Sequence, residues 1–374
     1  MLPIVFAIFS ASAWPMHIID QSSKGADGVR LADFNRDGRA DIVTGWEEGG
    51  QIRVCLQPTP ELIKQPWPSF SVGNVASPED AVMTDLNGDG TLEVISCAEG
   101  KNKNVFVHRS PAIDSDPWRV EAIPALANKS QWMFCLPFQL AGKPALVLGA
   151  KNDAAQIGLV QLNNAPDDVA SWTWTPLRDA GWIMSLIAHD MDADGDADIL
   201  FSDRRGAQSG LYWLEQTPDL AHWPEHPIGC IGKEVMFANI GDINSDGTLD
   251  IAAAVKPRAI HLFLSDRTSH AWREEVVTYP EDFGTAKAVA IGDISCDGVP
   301  EIVITCEQSE TTVGVFYAKP TVSAGWAFHD ISGAPGVKYD LVEPLDLDGD
   351  GDLDLITCEE REINAVIWYE NPEK

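Results

Sequence analysis

The chain has 374 residues, with 26 Lys and Arg against 57 Asp and Glu and a formal net charge of −31. No basic run or cationic stripe is available to neutralise phosphates, which excludes nucleic acid as a partner. No apolar stretch reaches the roughly 18 residues that a membrane-spanning helix needs.

Residues 2–9 are apolar, and Ala11, Ser12 and Ala13 have the small-x-small form of a signal-peptidase site. Residues 1–13 are therefore predicted to be a secretory signal, and the mature chain, 14–374, to be secreted or periplasmic. Trp14, Met16, His17 and Ile19 follow as an outer-strand pattern with no repeat before it. Next comes an oxygen-rich turn: Asp33, Asn35, Asp37 and Asp41 at positions 1, 3, 5 and 9, with Gly38 at position 6. Alternate oxygens on a tight turn converge on one hard cation, and glycine permits the bend. The pattern returns at Asp85, Asn87, Asp89 and Glu93, then at Asp190, Asp192, Asp194 and Asp198. It returns again at Asp242, Asn244, Asp246 and Asp250, at Asp293, Ser295, Asp297 and Glu301, and at Asp346, Asp348, Asp350 and Asp354. Six turns are thus predicted to hold Ca²⁺. They contain 22 of the 57 acids, so the remaining chain has 35 acids against 26 bases. Most of the net negative charge of −31 therefore sits in these turns.

The first acids are spaced by 52, 105, 52, 51 and 53 residues. The double step hides a seventh copy at Leu140, Ala141, Gly142, Lys143 and Pro144, which keeps the frame without the acids and is predicted to bind no metal. A fixed period of this length means a solenoid, a propeller or an array. Each turn runs into an apolar pair such as Ile42-Val43, Val94-Ile95 or Leu355-Ile356, the start of a strand. Position 12, where an EF-hand carries Glu, is Thr44, Ser96, Phe201, Ala253, Ile304 and Thr357, which argues against that motif. Landmark tryptophans (Trp14, Trp67, Trp118, Trp174, Trp223, Trp272, Trp326) precede the turns and mark outer strands. Each unit reads as four short antiparallel strands, so the fold class is an all-β, seven-bladed β-propeller forming a single domain. A propeller must pair its ends, so Trp14–Ile19 is predicted to complete the last blade, antiparallel to Ala365–Tyr369. The seven cysteines contain no CxxC, and Cys97, Cys306 and Cys358 read as buried strand residues.

These turns, with Gly142-Lys143-Pro144 and the closing run Trp368 to Pro372, resemble the FG-GAP/VCBS repeat family, calcium-loop β-propellers also found at the head of integrin α chains. The resemblance covers about residues 14–372 and implies the fold and calcium. It does not settle function, because the family includes adhesion heads, secreted orphans and carbohydrate-active lyases.

His222, Glu225 and His226 spell an inverted zincin pattern, but Pro224 inside it breaks the helix that chemistry needs. No nucleophile elbow or phosphate loop occurs in a usable context. The expected function is therefore a secreted recognition module for a glycan or protein ligand. A polysaccharide lyase or sugar dehydratase using His189, Tyr339, Arg204 and Lys233 is the alternative. The turns opposite the calcium loops carry Glu47, Glu99, Lys151, Arg204, Lys256, Glu307 and Glu360 at equivalent positions. The bases, with Arg205, Lys233 and Arg258, are predicted to form a basic arc bordered by Trp132 and Trp182. An anionic ligand would be held there by charge-assisted hydrogen bonds and stacking.

Overall fold

The computed structural model describes residues 8–9, 13–101, 103–111, 117–265, 271–310, 312–321, 325–333 and 335–373. The predicted signal segment lies largely outside them. Only Ile8–Phe9 (β1) is placed before residue 13, with Met16–Asp20 (β2) following.

The fold is an all-β, seven-bladed propeller. Blade 1 comprises β3 (Ala26–Ala32), β4 (Asp41–Trp46), β5 (Gln51–Cys55) and β6 (Ser69–Asn74). Blade 2 comprises β7 (Pro78–Thr84), β8 (Glu93–Ala98), β9 (Asn104–Arg109) and β10 (Arg119–Ala122). Blade 3 is β11 (Gln131–Leu140), β12 (Lys143–Lys151), β13 (Gln156–Gln161) and β14 (Thr173–Asp179). Blade 4 is β15 (Ile183–His189), β16 (Asp198–Asp203), β17 (Gly210–Leu214) and β18 (Glu225–Gly229). Blade 5 holds β19 (Val235–Gly241), β20 (Asp250–Val255), β21 (Ala259–Ser265) and β22 (Trp272–Thr278). Blade 6 holds β23 (Thr285–Gly292), β24 (Glu301–Glu307), β25 (Val315–Pro320) and β26 (Trp326–Asp330), with β1 added in parallel on β26. Blade 7 takes β27 (Tyr339–Leu345), β28 (Asp354–Glu359) and β29 (Ala365–Tyr369) from the end of the chain. Its fourth strand is β2, antiparallel to β29 with Met16 opposite Tyr369 and Ile18 opposite Ile367.

The strands pack as two compact units. One comprises Ser22–Pro58 and Trp67–Val235, the other Met1–Gln21, Thr59–Pro66 and Met236–Lys374. Within each, the second strand of a blade is covered on both faces, so β4, β8, β16, β20 and β28 are buried at every residue. That explains their unbroken apolar runs, where a half-exposed strand would alternate. The outer strand β10 is largely exposed. In the first unit, Val43, Ile52 and Val54 of blade 1 pack with Ala81, Met83 and Val94 of blade 2. Val105 and Val107 of blade 2 share a second core with Leu146, Leu148 and Val160 of blade 3. In the other unit, Trp14 joins Val303 and Val315 of blade 6 and Leu355 and Ile367 of blade 7. All seven cysteines are free thiols and six are buried. No helix among the described residues is long and apolar enough to cross a membrane.

Candidate metal centres and ligand face

Six blades carry their oxygen-rich turn between strands one and two. The acid at position 1 anchors the turn to itself. Asp33 accepts from Asp37 N at 2.9 Å and Gly38 N at 3.0 Å. Asp190 repeats this with Asp194 N and Gly195 N, Asp242 with Asp246 N and Gly247 N, and Asp293 with Asp297 N and Gly298 N. Position 3 accepts from the amide of position 5, as Asn35 does from Asp37 N at 3.0 Å. These bonds turn the acids at positions 1, 3 and 5 to the same side. In blade 4 one ligand atom from each of Asp190, Asp192 and Asp194 lies within 4.8 Å of the others, and Asp293, Asp297 and Glu301 meet the same limit in blade 6. An all-oxygen set of this kind suits a hard cation.

Two backbone positions make the turn possible. Gly38, Gly90, Gly195, Gly247, Gly298 and Gly351 at position 6 all have positive φ. So do Arg36, Gly88, Ala193, Ser245, Cys296 and Gly349 at position 4. The second requirement was not legible in the sequence, because four of those six residues are not glycine. Each accepts a left-handed conformation that costs roughly 1–2 kcal/mol, offset by the hydrogen bonds around it. Blade 3 replaces the whole device with a two-residue turn: Leu140 pairs with Lys143 across Ala141 and Gly142, both at positive φ.

Position 9 also ties the turn to the rest of its blade. Asp41 is fully buried and accepts from Phe34 N at 2.9 Å, Asn35 N at 3.2 Å and Gln57 N at 2.8 Å. One carboxylate thus ties the turn to the chain leaving strand three. Asp198 does the same for Met191 N and Gln216 N, Asp250 for Ile243 N and Ser265 N, and Asp354 for Leu347 N and Asn371 N. Where position 9 is Glu, the side chain still accepts from the turn, Glu93 from Leu86 N and Glu301 from Ile294 N, and its other oxygen meets a base: Glu93 takes Arg109 at 2.9 Å, and Glu301 faces Lys319 at 3.4 Å. Burial pushes Asp41, Glu93 and Asp250 up, Asp198 to about 6 and Asp354 to about 7. Asp41→Ala is accordingly expected to cost about 2–4 kcal/mol even in a chelator, because it strands several buried amides. Asp37→Ala, at an exposed position, should shift the chelated protein by no more than about 0.5 kcal/mol. Urea unfolding of both variants in EDTA checks this; equal destabilisation would contradict the assignment.

At the other end of the blade 4 hairpin lies Trp182. Three cations converge on its ring: Lys151 Nζ at 4.7 Å, Arg204 Cζ at 4.6 Å and Arg205 Cζ at 4.8 Å from the centroid. Its indole Nε1 is shielded from solvent and has no hydrogen-bond acceptor among the described residues. Asp203 fixes the approach to the indole, accepting from Gly181 N at 3.1 Å and Trp182 N at 2.9 Å while pairing with Arg178 at 2.8 Å. The bases have acidic neighbours that the linear pattern did not reveal. Lys151 pairs with Glu79 at 3.2 Å and also with Glu99. Arg204 meets Glu234 at 2.7 Å and Arg205 reaches it at 3.6 Å. Burial holds the Glu79 carboxyl above the ordinary range, with Lys151 opposing it. Arg205, with its side chain 54% exposed, and Lys233 are the solvent-exposed cations of the group.

The remaining predicted residues are placed otherwise. Trp132 is 1% exposed and donates to Leu126 O at 3.3 Å, so it is a core residue and not the border of an open face. Lys256 pairs with Glu307, and Arg258 donates to Phe283 O at 2.8 Å; both lie in the other unit. Tyr339 is fully buried and donates to Pro335 O at 2.6 Å. His189 is paired opposite Asp198, at the far end of the strand that leads to Arg204, about 20 Å away by strand rise. The lyase-type quartet is not brought together. Asp203 had one sequence signal: an acid ends the apolar run at position 14 in blades 4 and 7, Asp203 and Glu359, where other blades have Trp46, Ala98, Val255 and Cys306.

The fold and these turns define the class, a repeat β-propeller whose blades are pinned by oxygen-rich hairpin loops. Residues 207–304 match the model of the FG-GAP-like repeat. A chain in the crystal structure of BBS1N in complex with ARL6DN, soaked with mercury, has the same fold, with a TM-score of 0.58 over 97% of this chain and 98% of that one. Its sequence identity is 11%, so the likeness extends to the fold alone. No curated protein matches the sequence.

Proposed function

We propose that this chain is an exported recognition module, stiffened by six Ca²⁺ in its hairpin loops, that takes an acidic ligand at Trp182. The observation that carries the reading is the convergence of Lys151, Arg204 and Arg205 on one indole, in a chain of net charge −31. Cation–π contacts of this kind contribute about 0.5–2 kcal/mol each and hold the bases in place. A carboxylate or sulfate on a glycan would take over Arg204 and Arg205 from Glu234 and add the exposed Lys233. A protein with an acidic surface is the second class of partner. The crystal structure of BBS1N in complex with ARL6DN supports it, as a chain of this fold found together with another protein. Calcium is supported by the oxygen-only donor sets, and export by the apolar start of the sequence.

The test is a binding panel of acidic polysaccharides (polygalacturonate, alginate, chondroitin sulfate) against neutral dextran, at low and high salt. Binding is expected to be selective for the acidic chains, to weaken as salt screens the charges, and to fall about tenfold or more in Arg204→Ala with Arg205→Ala. A folded double variant that keeps full affinity would show that these bases only decorate the surface.

A further inference from the structure

Blades 1 and 2 enclose a groove of about 950 Å³ between β6 and β10. Its floor is aromatic. Phe34, Phe70 and Trp118 lie with ring centroids 5.9–6.2 Å apart, Phe34 and Trp118 stacked at 29°. All three are half-buried, packed on one side against the core the two blades share and open on the other. The rim carries Ser71, Asn74, Thr91 and Ser110. Among the described residues no charged side chain lines it. Position 2 of the metal turn explains part of this construction. It is Leu86, Ile243, Ile294 and Leu347 in four other blades, all buried. In blade 1 it is Phe34, whose ring joins the platform. Thr91 belongs to the next metal turn, so the groove is built on two of them.

From this geometry we infer a second binding site, for one ring of a neutral carbohydrate. The C–H face of a pyranose stacks on Trp118 and Phe70, and its hydroxyls exchange hydrogen bonds with Ser71, Asn74, Thr91 and Ser110. An acidic sugar finds no base among the described residues that line the groove. A hydrocarbon chain would cover Asn74 and Ser110 and offer them no hydrogen bond, at a cost for each. A proline-rich strand needs slots about 9 Å apart, three residues at 3.1 Å each, whereas the three rings form a single platform. The site is separate from Trp182 and does not depend on that reading.

The test is calorimetric titration of the calcium-loaded protein with neutral cello-, xylo-, manno- and galacto-oligosaccharides, beside polygalacturonate and a proline-rich peptide. At least one neutral series is expected to bind. Trp118→Ala should weaken it about tenfold, the scale of one lost stacking contact. Asn74→Ala, at an exposed position that leaves the fold alone, should weaken it several-fold. The inference is overturned if no neutral oligosaccharide binds, or if the affinity survives both variants. Displacement of the sugar by the proline-rich peptide at equal concentration would also overturn it.

Discussion

Excess EDTA is expected to lower the melting temperature of this protein by about 10 °C or more. A ligand that binds only the folded state at tenfold above its Kd adds about 1.4 kcal/mol per site, so six sites add roughly 8 kcal/mol. For a chain of this size that corresponds to a shift on the order of ten degrees. The physical source is the crowding of acids in each loop, which calcium neutralises. In the metal-free protein the same acids should make stability pH-dependent in a defined sense. Burial raises Asp198 from 3.8 to about 6 and Asp354 to about 7, and pushes Asp41, Asp250 and Glu93 in the same direction. A folded-state pKa above the unfolded value contributes stability that is complete below the unfolded pKa and is lost as pH rises through the folded one. The chelated protein should therefore melt higher near about pH 5 than near about pH 8, and added calcium should restore most of the difference at the higher pH. A melting curve unchanged by EDTA, with calcium verified absent, would sink the metal assignment for the turns.

Removing residues 14–20 should unfold blade 7 and destabilise the protein by well over about 5 kcal/mol. The segment contributes a whole strand. Trp14 is 7% exposed and Ile19 is fully buried. Trp14 N donates to Ile331 O at 2.9 Å, which ties the strand's start to the chain beyond β26. His17 stacks on Trp368 at 4.5 Å and meets Glu370 at 2.8 Å. Losing the strand would strip one side of β29 of its ladder and leave an open edge. A milder probe isolates the packing: Trp14→Ala removes one large indole from the core of blades 6 and 7 and should cost about 3–5 kcal/mol. His17→Ala, at a partly exposed position, should cost far less. Urea unfolding of the three variants separates these effects, and a stable protein lacking residues 14–20 would refute the account of how blade 7 is completed.

The sequence by itself determined the architecture, because it is repetitive. A period near 52 residues, alternating oxygens before apolar runs and recurring tryptophans each repeat a local rule, and six agreeing copies suppress chance. The same patterns placed β2 in the last blade, since an outer-strand signature without a repeat of its own has one edge to fill. What only the tertiary structure decided concerns contacts between residues that no period relates. The spacing did not reveal that the position-9 acids also accept from amides 7 and 15–18 residues away. Glu79, Glu99 and Glu234 could not be matched to Lys151 and Arg204 from spacing, because neighbouring blades set those pairs. Trp132 and Trp182 stood at equivalent positions in the linear pattern. One is sealed in the core shared by blades 2 and 3, and the other carries three cations, because burial is set by what packs on the strand from the next blade. The aromatic groove was hidden for the same reason: Phe34, Phe70 and Trp118 come from three different turns and strands, and only the packing of blade 1 on blade 2 makes them one surface.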